Sequence, residues 1–303
     1  MKCIDLFSGC GGLSLGFEEA GHHVVAAFDV WKPAIEVYNN NFRHQCHFLD
    51  MTDLDETFDR LSQHEFNCII GGPPCQDFSH AGLRTEGDRA NLTINYSKII
   101  EHFRPPFFVM ENVDRASKSS AYVDARSRFK AAGYGLTERI LDASYCGVPQ
   151  RRKRFFVIGC HGVCDGFLDE YLNANLSPKP LTVREYMGDE LNLDNYYRHP
   201  RNYSRRGVFS VDEPAPTIRG VNRPVPKGYP GHHGDTSAIT PDLRPLTTRE
   251  RARLQTFPPN FMFTGTKTNV EQMIGNAVPV GLATYVGHAI ASLEKMERGI
   301  YAA

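Results

Sequence analysis

The sequence has no hydrophobic run approaching the roughly 20 residues that a membrane-spanning helix needs, which excludes such a span. It also lacks a cationic, apolar leader: Met1-Lys2-Cys3-Ile4-Asp5 meets an aspartate at once. The expected location is therefore the cytoplasm, with no membrane partner. Cysteines are few for the chain's size, eight in 303 residues, and they are scattered, so a disulfide framework is excluded. Only Cys160 and Cys164 lie close together; without a second pair at ligand spacing, no metal is expected. There is no internal repeat and no low-complexity segment, and the length suits one large or two smaller globular domains. The glycines near the N-terminus, Gly9, Gly11, Gly12 and Gly16, do not fit the spacing of the dinucleotide-binding fingerprint.

Net charge is nearly absent too, at −1, but its distribution is uneven. From Lys2 to Arg60 there are 4 basic and 10 acidic residues, and from Tyr196 to Gln255 there are 11 basic and 5 acidic. The first stretch repels phosphates and the second attracts them.

What is present centres on Gly71-Gly72-Pro73-Pro74-Cys75-Gln76-Asp77-Phe78-Ser79. It follows Phe66–Ile70, a short apolar run of the kind that makes a buried strand. Two glycines and two prolines stop that strand and present a cysteine. A thiol on a rigid turn at a strand end can act on a ligand, although a buried, inert cysteine would read the same from this stretch alone.

Strand and helix patterns alternate around it. Lys2–Phe7 reads as a strand, Ser8–Gly12 as a glycine-rich turn and Leu13–Ala20 as a helix. His22–Phe28 is a second strand ending in Asp29, followed by a helical run over Ala34–Asn40. Phe48–Met51 ends a third strand, and Phe107–Met110 forms a fifth that runs into Glu111-Asn112-Val113. Arg84–Asn91 reads as a polar loop, Tyr96–Phe103 as a helix, and Leu136–Leu141 and Phe155–Gly159 as further strands. This order predicts an α/β fold with a doubly wound parallel sheet. Asp5, Asp29, Asp50, Cys75 and Glu111 would lie along its ligand edge. The Asp29 carboxylate could accept hydrogen bonds from a ribose diol or serve the next helix as a cap. Four cations, Arg151–Arg154, head the last strand, and alternation puts Arg152 and Arg154 on one side.

After Gly159 the texture changes. Residues 161–245 hold ten prolines, too many to sustain the alternation, which predicts a loop-rich second domain with short strands. Arginines there, including Arg205, Arg206, Arg219 and Arg223, alternate with Tyr196, Tyr197, Tyr203 and Phe209. Guanidinium groups suit phosphates and guanine edges, and aromatic rings suit stacking.

These pieces, in this order, resemble a cytosine-5 DNA methyltransferase of the bacterial restriction-modification type. The resemblance is carried by Asp5–Gly12, Gly72–Ser79, Glu111-Asn112-Val113, Gln150–Arg154 and Gly275-Asn276-Ala277-Val278-Pro279, and covers all but about 165–243. It implies a Rossmann-like, S-adenosylmethionine-dependent methyltransferase sheet in residues 1–160 and 270–303. Residues 161–269 would form a small, mostly β target-recognition domain and hinge. By the same resemblance Cys75 is the nucleophile that adds to carbon 6 of a flipped cytosine, and Glu111 contacts ring nitrogen 3 and the exocyclic amine. Arg152 and Arg154 would orient the base carbonyl and a nearby phosphate. Phe7, Cys10, Gly11, Gly12, Asp29, Val30, Asp50, Met51, Pro73, Leu92, Asn276 and Ala277 would hold the cofactor. Val30 stands where the family commonly has tryptophan, and Trp31 comes one residue later. Gln76, Ser79, Arg205, Arg206, Thr217, Arg219 and Arg223 would meet double-stranded DNA, with the loop from Gln76 to about Asn91 closing over the extruded base. The resemblance further implies a monomer, and a cognate restriction endonuclease acting on the same site without a stable complex. An RNA cytosine methyltransferase, an inactive DNA-binding relative and a thiol enzyme with a Cys–His pair are the competing readings.

Overall fold

The computed structural model describes residues 1–74 and 86–301, which fall into two compact units. Cys75, Gln76 and Ser79 lie outside the described residues, as does most of the loop expected to close over the base.

The first unit comprises residues 1–141, 153–176 and the chain from Ala283 onward. It begins with β1 (Lys2–Leu6), α1 (Gly12–Glu19), β2 (His23–Asp29), α2 (Lys32–Asn39), β3 (Cys46–Phe48), α3 (Leu54–Ser62) and β4 (Cys68–Gly71). It continues through α4 (Glu86–Phe103), β5 (Phe107–Val113), α5 (Ser120–Ala131) and β6 (Tyr134–Asp142). In the second unit lies the short β7 (Gln150–Arg151); β8 (Lys153–His161) and α6 (Asp169–Ala174) then return to the first. α4 begins at Glu86, so much of the stretch expected as a loop is helical: Glu86, Arg89 and Ala90 are good helix formers and continue the run that follows.

The seven strands are ordered β3-β2-β1-β4-β5-β8-β6. β1 to β5 run parallel, as expected, but β8 is antiparallel to β5 and so departs from a wholly parallel sheet. The physical reason is the connection. Residues 143–152, between β6 and β8, contain no crossover helix, and a parallel return needs one. β1, β4 and β5 are buried along nearly their whole lengths, so both sheet faces are covered. On one face Ile4, Leu6, Ile69, Phe108 and Met110 pack with Tyr96, Ile99 and Ile100 of α4 and with Tyr122, Ala125 and Phe129 of α5. Each Ile, Leu, Met and Phe side chain among them contributes about 1.5–3 kcal/mol by leaving water.

The second unit comprises residues 142–152 and 177–282. It holds β7, α7 (Val183–Met187), β9 (Asn195–Tyr197), β10 (Val208–Ser210), β11 (Ala215–Pro216), α8 (Thr248–Leu254), α9 (Lys267–Asn276) and the first residues of α10 (Val280–Tyr301). β9 pairs antiparallel with β10, and β7 pairs parallel with β11. Thr247 caps α8 in a reciprocal capping box with Glu250. The bounds of the units differ from the expected 161–269. Residues 161–176 go with the sheet because Asp165 bonds the Leu136 amide and Lys130, and Thr137 bonds the Leu168 amide. Residues 270–282 go with the second unit because α9 supplies partners to Arg152 and Arg251 within it.

Candidate active site

The glycine-rich turn after β1 is built from left-handed backbone: Phe7, Gly9 and Gly11 have φ of 59°, 54° and 95°. No atom lies within 4 Å of the place a Cβ on Gly9 would take, so that face of the turn is open. A Cβ on Gly11 would instead lie 2.4 Å from the Phe42 ring, so this glycine is needed for packing. Asp29, at the end of β2, ties the turn down. Its Oδ2 accepts from the Gly9 amide and its Oδ1 from the Trp31 amide, each at 2.8 Å. Burial pushes the Asp29 carboxyl above the usual range. Each oxygen keeps a further lone pair, so a diol can still be bound there. Cys10 is buried and its thiol is pushed up to about 12 by desolvation, so it packs as a neutral side chain; Gly12 opens α1.

Next along the edge, Val30 is 45% exposed, and Asp50 is exposed, with its Oδ1 accepting from the amide and hydroxyl of Thr52 at 3.0 and 2.8 Å. The Met51 side chain is buried and its carbonyl accepts from Asn95 Nδ2 at 2.9 Å, which fixes the backbone here; Leu92 packs partly buried against the core. This open turn, paired with an acid and followed by an exposed acid on a locked backbone, fits an adenosine-bearing cofactor.

Asp5 does not belong to that edge. It is fully buried within β1, its Oδ2 accepts from Ser14 Oγ at 2.5 Å, and Ser14 Oγ in turn accepts from the Tyr38 hydroxyl at 2.7 Å. Among the described residues its Oδ1 has no partner. Desolvation raises the Asp5 carboxyl to about 8, so it is largely protonated at neutral pH.

A nearly buried ion pair of the first unit sits on adjacent strands. Arg154 Nε of β8 lies 2.8 Å from Glu111 Oε1 of β5, and both side chains are nearly buried. Glu111 also faces the turn after β4: a Cβ on Gly72 would stand 3.1 Å from Glu111 Oε2. Beside it Asn112 Nδ2 donates to the carbonyl of Pro73 at 2.9 Å, holding the residue pair that leads to Cys75. Tyr96, wholly buried, donates towards the carbonyls of Ile69 and Val109 and so braces β4 against β5. The roles of Asn112 and Tyr96 are not visible in the sequence; for Asn112 the only signal is its place beside Glu111.

Arg152 belongs to the second unit and is buried, 1% exposed. Its guanidinium donates to the carbonyls of Ile218 at 3.0 Å, Gly275 at 3.0 Å and Ala277 at 3.1 Å. These acceptors make Arg152 a brace for the second unit. Gln150 and Gln255, both fully buried, extend the brace. Gln150 Nε2 donates to Gln255 Oε1 at 2.8 Å, and Gln255 Nε2 donates to the Ile274 carbonyl at 2.5 Å. Asn276, which is exposed, and Ala277 are thereby held at the end of α9, and Gln272 Nε2 donates to Asn276 Oδ1 at 3.0 Å.

The expected DNA-contacting residues of this unit gather at one concavity of about 470 Å³, lined by Arg198, Arg201, Arg205, Arg206, Phe209, Thr217 and Arg219 together with Pro200. Thr217 donates its hydroxyl to the Arg151 carbonyl at 2.8 Å. Arg223 is exposed and is not part of that wall.

The chain is similar to known proteins over nearly its whole length. The family model for C-5 cytosine-specific DNA methylases matches residues 1–292. The Type II methyltransferase M.HindV of Haemophilus influenzae is 55% identical over 297 residues, covering 97% of this chain and 98% of that protein. The Type II methyltransferase M.HgiDI of Herpetosiphon aurantiacus is 52% identical over 291 residues, covering 96% and 94%. Among solved structures, the Schizosaccharomyces pombe Dnmt2 methyltransferase superposes with a TM-score of 0.71 at 20% identity, over 97% of this chain and 99% of that one, a likeness of fold.

Proposed function

The chain belongs to the C-5 cytosine-specific DNA methylases, and from that premise we propose that Cys75, Glu111 and Arg154 carry out its reaction on a cytosine extruded from duplex DNA. It is an enzyme that uses S-adenosylmethionine, which supplies a methyl group on an electrophilic sulfonium. The observation that carries the residue assignment is the Glu111–Arg154 pair at 2.8 Å beside the tethered Gly72-Pro73 turn. Phe7, Gly9, Gly11 and Asp29 would hold the methionine and ribose parts of the cofactor, and Val30, Asp50, Met51 and Leu92 the adenine. Asn276 and Ala277 are assigned to the same cofactor by family resemblance alone.

The Cys75 thiolate bonds to carbon 6 of the ring while Glu111 gives a proton to ring nitrogen 3. That addition turns carbon 5 into a nucleophile, which takes the methyl group. Carbon 5 then gives its proton to solvent, ring nitrogen 3 returns its proton to Glu111, the Cys75–carbon 6 bond breaks to release the thiolate, and the aromatic ring is restored. Arg154 keeps the Glu111 carboxyl oriented and offsets charge at the base. Arg152 acts through the backbone it braces. In the cell the chain would modify a site shared with a restriction endonuclease, as a cytoplasmic monomer.

The test is transfer of labelled methyl to unmethylated DNA. Cys75→Ser should abolish it, and Glu111→Gln should bind DNA yet turn over at least a hundredfold more slowly. DNA carrying 5-fluorocytosine cannot lose its carbon 5 substituent as a proton. Wild type should therefore remain covalently bound to it, and Cys75→Ser should not. An adduct with Cys75→Ser would sink the nucleophile assignment.

A further inference from the structure

The arginines that line the concavity of the second unit are not equivalent. Arg198 is half-buried and its terminal nitrogen donates to the Thr217 carbonyl at 2.9 Å. Arg206 pairs with Glu213 at 2.6 Å and stacks over the Phe209 ring at 4.2 Å. Arg219 donates to the carbonyl of His199. These three form a fixed, cationic wall. Arg198 is held down to about 10, first by burial and then by the neighbouring Arg219.

Arg201 and Arg205 differ. Both are exposed, and among the described residues neither guanidinium has a hydrogen bond or ion-pair partner. Their backbone is nevertheless held. The Arg205 amide donates to the Asn202 carbonyl at 3.3 Å, and Ser204 Oγ donates to Asn202 Oδ1 at 2.6 Å. The ring of His232 reaches the Ser204 carbonyl at 3.2 Å, pinning the turn to a second loop. A pinned turn thus offers two unengaged forks over a wall of three more cations, with no carboxylate among the residues that line the concavity.

Such a surface offers hydrogen-bond donors and little else. Of the four base edges in the major groove only guanine presents two acceptors and no donor, at O6 and N7, which a guanidinium fork can engage together; thymine offers the single acceptor O4 beside its methyl group, and adenine and cytosine each place an amine there, which would face a guanidinium donor to donor. We propose that Arg201 and Arg205 read guanine in the DNA target, while Arg198, Arg206 and Arg219 build the wall that presents them. This rests on the reading of the chain as a methylase of duplex DNA and adds which residues discriminate and which base they select.

The methylated site is first found by bisulfite sequencing of DNA modified by wild type. Binding is then measured on duplexes of that site in which each guanine in turn is replaced by 7-deazaguanine, which removes the N7 acceptor. For wild type, at least one replacement should weaken binding about 10- to 100-fold. Arg205→Ala or Arg201→Ala should lose a similar factor on the native duplex and become indifferent to that replacement. A uniform loss on every duplex, with a shallower salt dependence and undiminished sensitivity to 7-deazaguanine, would overturn the proposal by making both arginines phosphate contacts. Arg205→Lys separates the two further, since a point charge keeps a phosphate contact but not a bidentate fork. Failure of wild type to methylate any duplex would instead remove the underlying reading.

Discussion

Two acids show how much one carboxylate's surroundings decide. Asp29 and Asp5 both stand near strand ends in the sequence, yet one is bonded to two amides at an open turn and the other is sealed in β1 against Ser14. Burial raises the folded Asp5 carboxyl from about 3.8 to about 8. Its protonated form therefore favours the fold fully at pH below about 4, and that contribution is lost as pH rises through about 8. Asp5→Asn keeps an acceptor for Ser14 and cannot ionise. Its melting temperature should exceed that of wild type by a margin that widens from pH 5 to about 8.5 and then levels off. A margin independent of pH would contradict the buried-acid account. At Gly72 the neighbour is Glu111 Oε2, 3.1 Å from a would-be Cβ. Gly72→Ala should lower kcat severalfold with little change in melting temperature, because it displaces the carboxylate rather than the core.

Among the elements, strands and helices with strong periodicity were legible in the sequence, and so was the succession of polar residues near the strand ends. The direction of β8 was not, because a strand of apolar residues reads alike in either direction and only its connection decides. Nor was the role of Arg152, whose sequence neighbours are three other cations while its bonding partners are carbonyls far along the chain. The arginine-rich segment showed its charge but not which guanidiniums were already taken. Close backbone packing is equally silent in a sequence. A Cβ on Gly275 of α9 would lie 2.1 Å from the Gly220 amide nitrogen and 2.3 Å from the Arg219 carbonyl carbon. Both are main-chain atoms that cannot swing aside, so Gly275→Ala should cost about 2–3 kcal/mol in denaturant unfolding. Gly228→Ala, with nothing within 4 Å, should be neutral within about 0.5 kcal/mol.

For the molecule as a whole, the Arg152 brace has a temporal meaning. Its acceptors follow it by 66, 123 and 125 residues, so the second unit closes only around the segment 275–277. The first unit is closed late as well: His22 Nε2 meets the Gly287 carbonyl at 2.9 Å, and Thr284 meets Glu19 at 3.0 Å, each across 265 residues. Folding during synthesis runs from the N-terminus. A nascent chain that has emerged only as far as residue 270 therefore has the Ile218 carbonyl for Arg152 but not those of Gly275 and Ala277, and its first unit lacks these ties. Both units therefore complete these ties only once synthesis has passed the segment 275–287.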